Sequence, residues 1–92
     1  MAKKQEINPK DGKRFVRDVL QSARGYGVNE ATLIEKVNEL GDPDEADEAA
    51  VRSWVEFNQG RGWVTYRYDE DSEEDLWYLT ERGQAKQNQS LK

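Results

Sequence analysis

The hydrophobic pattern of this chain changes period once, at Asn58-Gln59-Gly60-Arg61-Gly62. Before that break, apolar residues recur at three- and four-residue spacing, as on one face of a helix. After it, Trp63-Val64-Thr65-Tyr66-Arg67-Tyr68 is rich in β-branched and aromatic residues and reads as a strand. A chain of 92 residues divided in this way has room for one small α+β domain, helices first and a hairpin last.

Three helices fit into the first part. Asn8 is a suitable cap with Pro9 at the first helical position, and Phe15, Val16, Val19, Leu20 and Ala23 form the apolar stripe. Gly12 weakens the first turn, so this helix can start after it, and Gly25 ends it in the left-handed conformation. Lys10, Lys13, Arg14, Arg17 and Arg24 lie mostly off the stripe, which predicts a basic outer face. Asn29 caps a second helix with Leu33, Ile34, Val37 and Leu40 inward and Gly41 at its end. Asp42-Pro43-Asp44 predicts a tight turn, and Asp44 caps a third helix carrying Ala46, Ala50, Val51, Trp54, Val55 and Phe57.

The strand 63–68 is joined to a second one, Leu76 to Leu79, by the acidic DEDSEED at 69–75. Both alternating sets of 63–68 contain an aromatic, so the buried face is open; the reading favours Val64 and Tyr66, against Trp77 and Leu79. Thr80 caps a last helical turn from 81 to 87. Residues 8–87 are therefore expected to form a single domain between flexible tails at 1–7 and 88–92.

Composition removes several classes of function. With 35% hydrophobic and 36% charged residues and a mean hydropathy of −1.11, the chain is polar for a folded protein, and its three Trp, four Tyr and two Phe must anchor the core. There is no Cys and no His, hence no disulfide framework, thiolate site or usual general base. No phosphate-binding glycine loop or nucleophile elbow occurs, so no enzyme activity and no cofactor are expected. The spacing Asp69-x-Asp71-x-Glu73-x-Asp75 lacks the central glycine and distant glutamate of a calcium loop, and no metal site is assigned. No apolar run is long enough for a membrane span, and the first ten residues lack a signal-peptide core, which reads as cytoplasmic.

Three strings carry a resemblance. Tyr26 through Leu33 looks like the entry to a second helix, and Gly62-Trp63-Val64 like the step from a third helix into a wing. Leu76-Trp77-Tyr78-Leu79-Thr80-Glu81-Arg82-Gly83 is similar to the leucine-threonine-x-x-glycine ending of that wing. Over residues 15–83 the chain resembles the winged helix-turn-helix domains of small bacterial, archaeal and phage regulators. The resemblance implies a three-helix α+β fold with a two- to three-stranded antiparallel wing. It also implies duplex DNA as partner, with the third helix in the major groove, and a possible homodimer. Carried over, the nucleic-acid contacts are Arg52, Ser53, Glu56, Asn58 and Gln59 on the third helix and Arg61 and Arg67 on the wing. Lys13, Arg14 and Arg17 on the first helix, with Lys3, Lys4 and Lys10 near them, add a second set of phosphate contacts.

Charge placement departs from that pattern. The net charge is −5, from 14 basic and 19 acidic residues, and the acids concentrate at Asp44, Glu45, Asp47 and Glu48 and at Asp69, Glu70, Asp71, Glu73, Glu74 and Asp75. Acids in a first helical turn favour the helix dipole, and an acidic loop is commonly just solvated. Yet both blocks fall where a polyanion would dock, and phosphate neutralisation supplies most nonspecific affinity. A second reading therefore stands beside the first: a protein-interaction module whose acidic third helix and wing, Asp69 to Asp75 above all, bind a basic partner.

Overall fold

The computed structural model describes residues 5–90; Lys3, Lys4 and the outermost parts of both expected tails lie outside the described residues. Asn8 opens α1 (Pro9–Ser22), its side chain accepting the Lys10 N–H at 2.9 Å. The helix includes Gly12, and the reason that position carries no side chain is tertiary. A Cβ there would lie 2.6 Å from Cη2 of Trp54, whose ring fills the space. Beyond Ser22, Arg24 and Gly25 both take positive φ, 53° and 88°, and turn the chain. Asn29 caps α2 (Glu30–Gly41) by accepting the Thr32 N–H at 2.8 Å. Leu33 and Val37 are buried as the spacing predicts, whereas Leu40 is 49% exposed along a shallow groove with Val19, Ala23 and Val28.

The third helix starts later than the sequence suggests. Its cap is Asp47, which accepts the Ala50 N–H at 2.8 Å, and α3 runs Glu48–Gly60. Asp44 does not cap it, because the segment after it is held extended from both sides. Glu45 N–H donates to the Gln5 carbonyl and Ile7 N–H to the Glu45 carbonyl, both at 2.9 Å. Ala46 is clamped by the Asn38 amide, which accepts its N–H at 2.7 Å and donates to its carbonyl at 3.1 Å. Residues 5–7, read as tail, are thereby part of the packed fold, with Ile7 only 4% exposed.

Strand β1 (Val64–Asp69) pairs antiparallel with β2 (Glu74–Leu79), with Val64 opposite Leu79 and Tyr66 opposite Trp77, the pairing favoured from the sequence. The ladder extends to Asp69 opposite Glu74, so the acidic connection is four residues, 70–73, rather than seven. Asp69 Oδ2 closes it by accepting the Ser72 N–H at 3.0 Å and the Ser72 hydroxyl at 2.7 Å. On the other side of β2, Val28 exchanges backbone hydrogen bonds with Trp77 at 3.1 and 2.8 Å, which adds a one-residue third strand. Val64 is buried; Tyr66 remains 48% exposed but packs on Trp77, ring centroids 5.2 Å apart.

The chain closes with α4 (Glu81–Ser90), longer than the expected turn. Thr80 Oγ1 accepts the Gly83 N–H at 3.0 Å and donates to the Gly62 carbonyl at 2.6 Å, capping the helix and tying it to the base of the wing. Gly83 is required because a side chain there would overlap the Trp63 carbonyl. The core, Val16, Leu20, Leu33, Val37, Val51, Trp54 and Val64 among others, lies where α1, α2, α3 and the sheet meet. Beneath α4 a buried polar triad joins three helices. Arg17 donates from Nε to Gln87 Oε1 and from Nη1 to Asn58 Oδ1, both at 2.9 Å. Asn58 Nδ2 in turn donates to the carbonyls of Trp54 and Lys13.

Candidate functional site

Of the concave faces beside α3, two are opposite in charge. The first is a groove of about 600 Å³ between α3, the start of α2 and the wing, with Val55, Tyr66 and Trp77 as its apolar floor. Its rim is Glu30, Glu56, Glu74 and Asp75, with Arg52 and Gln59 between them. Arg52 is already engaged: Nε donates to Glu30 Oε1 at 2.7 Å and Nη2 to Glu48 Oε1 at 2.6 Å. The hydrogen bond it donates to Glu30 is the main reason its pKa is held above the ordinary arginine value, so the cation is stabilised in place. Asn29, which the sequence marks only as a cap, also donates to Glu74 Oε2 at 3.2 Å and links the wing to α2. An anion approaching this groove would meet carboxylates and a single arginine that two of them already hold.

The second face lies roughly 150° around α3 at 3.6 residues per turn. It is a hollow of about 510 Å³ built from α1, the end of α3 and α4, lined by Lys10, Lys13, Arg14, Phe57, Trp63 and Lys86. Phe57 and Trp63 meet edge to face at 6.1 Å and form its floor. Cations ride on both rings: Lys13 Nζ is 4.0 Å from the Phe57 centroid and Lys86 Nζ 5.2 Å from that of Trp63. Arg61, the C-cap of α3, reaches both rings, at 5.2 and 5.9 Å. Each such contact is worth about 0.5–1 kcal/mol at an exposed site and fixes the cation's position. From below, the Arg17 guanidinium stacks on the Trp63 ring at 4.9 Å.

The residues singled out from the sequence are thus divided. Lys13, Arg14 and Arg61 belong to the basic face, with Arg14 leaning on Asp18 at 3.8 Å. Arg17 and Asn58 give way as surface contacts: they are 6% and 0% exposed and bond to each other. Burial pushes the Arg17 pKa down, with Asp18 partly opposing, a cost that its two 2.9 Å acceptors offset. Arg52 and Gln59 line the acidic groove; Ser53 is exposed and its hydroxyl bonds the Ala50 carbonyl of its own helix. Arg67 stands over Tyr78 at 5.4 Å, on the sheet face away from Tyr66. Of the acidic block, Glu74 and Asp75 line the groove, Asp69 closes the turn, and Glu70, Asp71 and Glu73 are exposed at its tip. Among the described residues no three acidic side chains converge as metal ligands. Sequence reasoning missed Lys86 as a member of a site, because only the docking of α4 brings it to α1, whereas Trp63 was legible as a partly exposed aromatic. The local signal was Gly83 followed four residues later by Gln87, one contact to Trp63 and one to Arg17.

No protein-family model matches the chain, and no curated protein does. Among solved structures it is similar to the ferric uptake regulator of Vibrio cholerae, whose crystal structure is described as revealing rearrangement of its DNA-binding domains. The TM-score is 0.59 at 22% identity, over 75% of this chain and 50% of that one. The fold is a winged helix. The chain spans half of the regulator's length, and at this identity the likeness is one of architecture. Within the winged-helix frame, α3 is the third helix and 64–79 is the wing. No helix among the described residues is long and apolar enough to cross a membrane.

Proposed function

We propose that this chain is a non-enzymatic winged-helix domain of the transcription-regulator type, acting at duplex DNA, and that its α3–wing groove is not the surface that grips the duplex. The observation that carries this reading is the sorting of charge by face. Around the groove, Glu30, Glu48, Glu56, Glu74 and Asp75 stand against Arg52, which two of them already hold. Around the opposite hollow, Lys10, Lys13, Arg14, Arg61 and Lys86 cluster on an aromatic floor. The fold is shared with a regulator whose structure is described by its DNA-binding domains, which supports DNA over other polyanions.

Fluorescence anisotropy with a labelled random-sequence duplex at 50 mM salt tests the reading. Binding is expected, falling steeply as salt rises, and Arg52→Ala should leave it unchanged. Absence of binding at 50 mM salt would remove the DNA reading altogether. The groove itself favours a second reading, in which its acidic rim and the exposed Tyr66 receive a basic protein segment. Under that reading, neutralising Glu70, Asp71, Glu73, Glu74 and Asp75 abolishes capture of a Lys/Arg-rich peptide while duplex affinity is retained or rises.

A further inference from the structure

The reading above leaves open where the duplex is held, and we infer that the hollow between α1, the end of α3 and α4 is the phosphate-binding surface. The inference rests on the proposal that this protein binds duplex DNA, and goes beyond it by naming the site and the kind of contact.

Three features of the hollow select a DNA backbone. First, its cations come from elements distant in sequence: Lys10, Lys13 and Arg14 on α1 and Lys86 on α4 line it, and Arg61, after α3, reaches the two rings of its floor. A solvated helix face would need only one element. Second, the cations are positioned. Lys13, Arg61 and Lys86 rest over Phe57 or Trp63, so less side-chain freedom is lost when a phosphate arrives. Third, both rings already carry cations. Trp63 is approached by Arg17, Arg61 and Lys86, and Phe57 by Lys13 and Arg61, so a stacking base would have to compete with them for the rings. A single strand read by stacking is therefore disfavoured, and charge contact with a duplex backbone is left. Of the acids, Asp11 is on its lining, and Asp18, one residue from Arg17, is engaged by Arg14 and Gln87.

Contact of this kind is independent of sequence and steeply dependent on salt. If four of the five cations each neutralise one phosphate, log K falls against log salt with a slope of roughly −3.6. That is about a 100-fold loss of affinity between 50 and 200 mM salt. Each charge removed should reduce the slope by about one.

The experiment is a titration of the isotope-labelled full chain with a random-sequence duplex at 50 mM salt, following backbone amides, repeated on Lys13→Glu with Arg61→Glu. The milder pair Lys13→Gln with Arg61→Gln is the companion in case the charge reversal unsettles the fold. The expected result is shifts at residues 10–17, 57–63 and 82–88, and at least a tenfold loss of affinity in either double variant. The slope should fall by about two. Shifts confined to 30, 52–59, 66 and 74–77, with both double variants binding normally, would overturn this site and leave the DNA reading standing. No shift anywhere would overturn both. Tighter binding of a single strand than of the duplex would likewise sink the backbone assignment.

Discussion

The triad Arg17–Asn58–Gln87 is where one substitution should cost most for the least change in volume. Asn58 is fully buried, and its Oδ1 is one of two side-chain acceptors for a guanidinium that is only 6% exposed. Replacing Asn58 with Leu keeps the bulk and removes the acceptor. The carbonyls of Trp54 and Lys13 lose an extra donor only, because each also serves its own helix. The guanidinium is what suffers: a hydrogen bond to a charged group is worth about 1.5–3 kcal/mol, and its Nη1 keeps only the Lys13 carbonyl at 3.3 Å. The gain in helix propensity from Asn to Leu returns a few tenths of a kcal/mol at most. We expect a net loss of about 2 kcal/mol, which shifts a urea midpoint by about 1–2 M at the slope usual for a small domain.

The decisive measurement is the cycle. Arg17→Met alone leaves Asn58 Oδ1 and Gln87 Oε1 without their donor inside the protein, again at about 1–3 kcal/mol. With both replaced, the cation and its acceptor vanish together and two apolar side chains face each other, so the double variant should lose no more than the worse single one. The coupling is then on the order of 1–2 kcal/mol, read by urea unfolding with the fluorescence of Trp54 and Trp63 beside the triad. Losses that add to within about 0.5 kcal/mol would refute the account, since they would mean that Arg17 does not depend on Asn58.

Two further substitutions probe the packing. Ile7→Ala should cost about 2–3 kcal/mol in urea unfolding, since Ile7 is in the core and lies over Gly41; an effect below about 0.5 kcal/mol would place the start of the packed chain at Asn8. Gly12→Ala gains about 1 kcal/mol of helix propensity but drives a methyl into the Trp54 ring, so overpacking should win and lower Tm by about 10 °C; a rise in Tm would show that the ring can move away.

How far these features could be read beforehand depends on whether the information was local. Caps are local, and Asn8, Asn29 and Thr80 do what their side chains predict. The pairing of Val64 and Tyr66 with Leu79 and Trp77 was the one favoured, but alternation left the buried face open because both sets of 63–68 carry an aromatic, and Tyr66 stays 48% exposed. Asp44 failed as a cap because the competing partners of residues 45 and 46, Gln5, Ile7 and Asn38, are far away in the chain. At the site, the acid runs supply only Glu74 and Asp75 of the acidic groove's lining; Glu30 and Glu56 come from α2 and α3 and no run marks them, while Glu45 and Asp47 of the first run line a separate hollow. The basic face was half visible: α1 supplied Lys13 and Arg14, but periodicity could not say that Arg17, one turn on, points inward under α4. A basic residue on a helix counts as surface until the element that covers it is placed.

The separation of the two faces has a consequence for how binding depends on ionic strength. The molecule measures 44 × 35 × 21 Å, and its net charge is −5. At 0.1 M salt the screening length is about 10 Å, about the width of the helix between the two faces, so the carboxylates of the groove act only weakly on a duplex in the basic hollow. At 0.01 M it is about 30 Å, comparable with the whole protein, and the acidic side then repels the same duplex. A uniformly basic domain would show log K rising in a straight line as salt is removed. Here the line should hold above about 0.1 M and bend over below about 0.02 M. Anisotropy titrations from 10 to 300 mM salt measure it directly. Converting the exposed wing acids Glu70, Asp71 and Glu73 to Gln should straighten the curve at low salt while leaving the slope above 0.1 M unchanged. A change in that upper slope instead would mean that the wing lies against the duplex, and that the charge sorting does not separate a binding face from a free one.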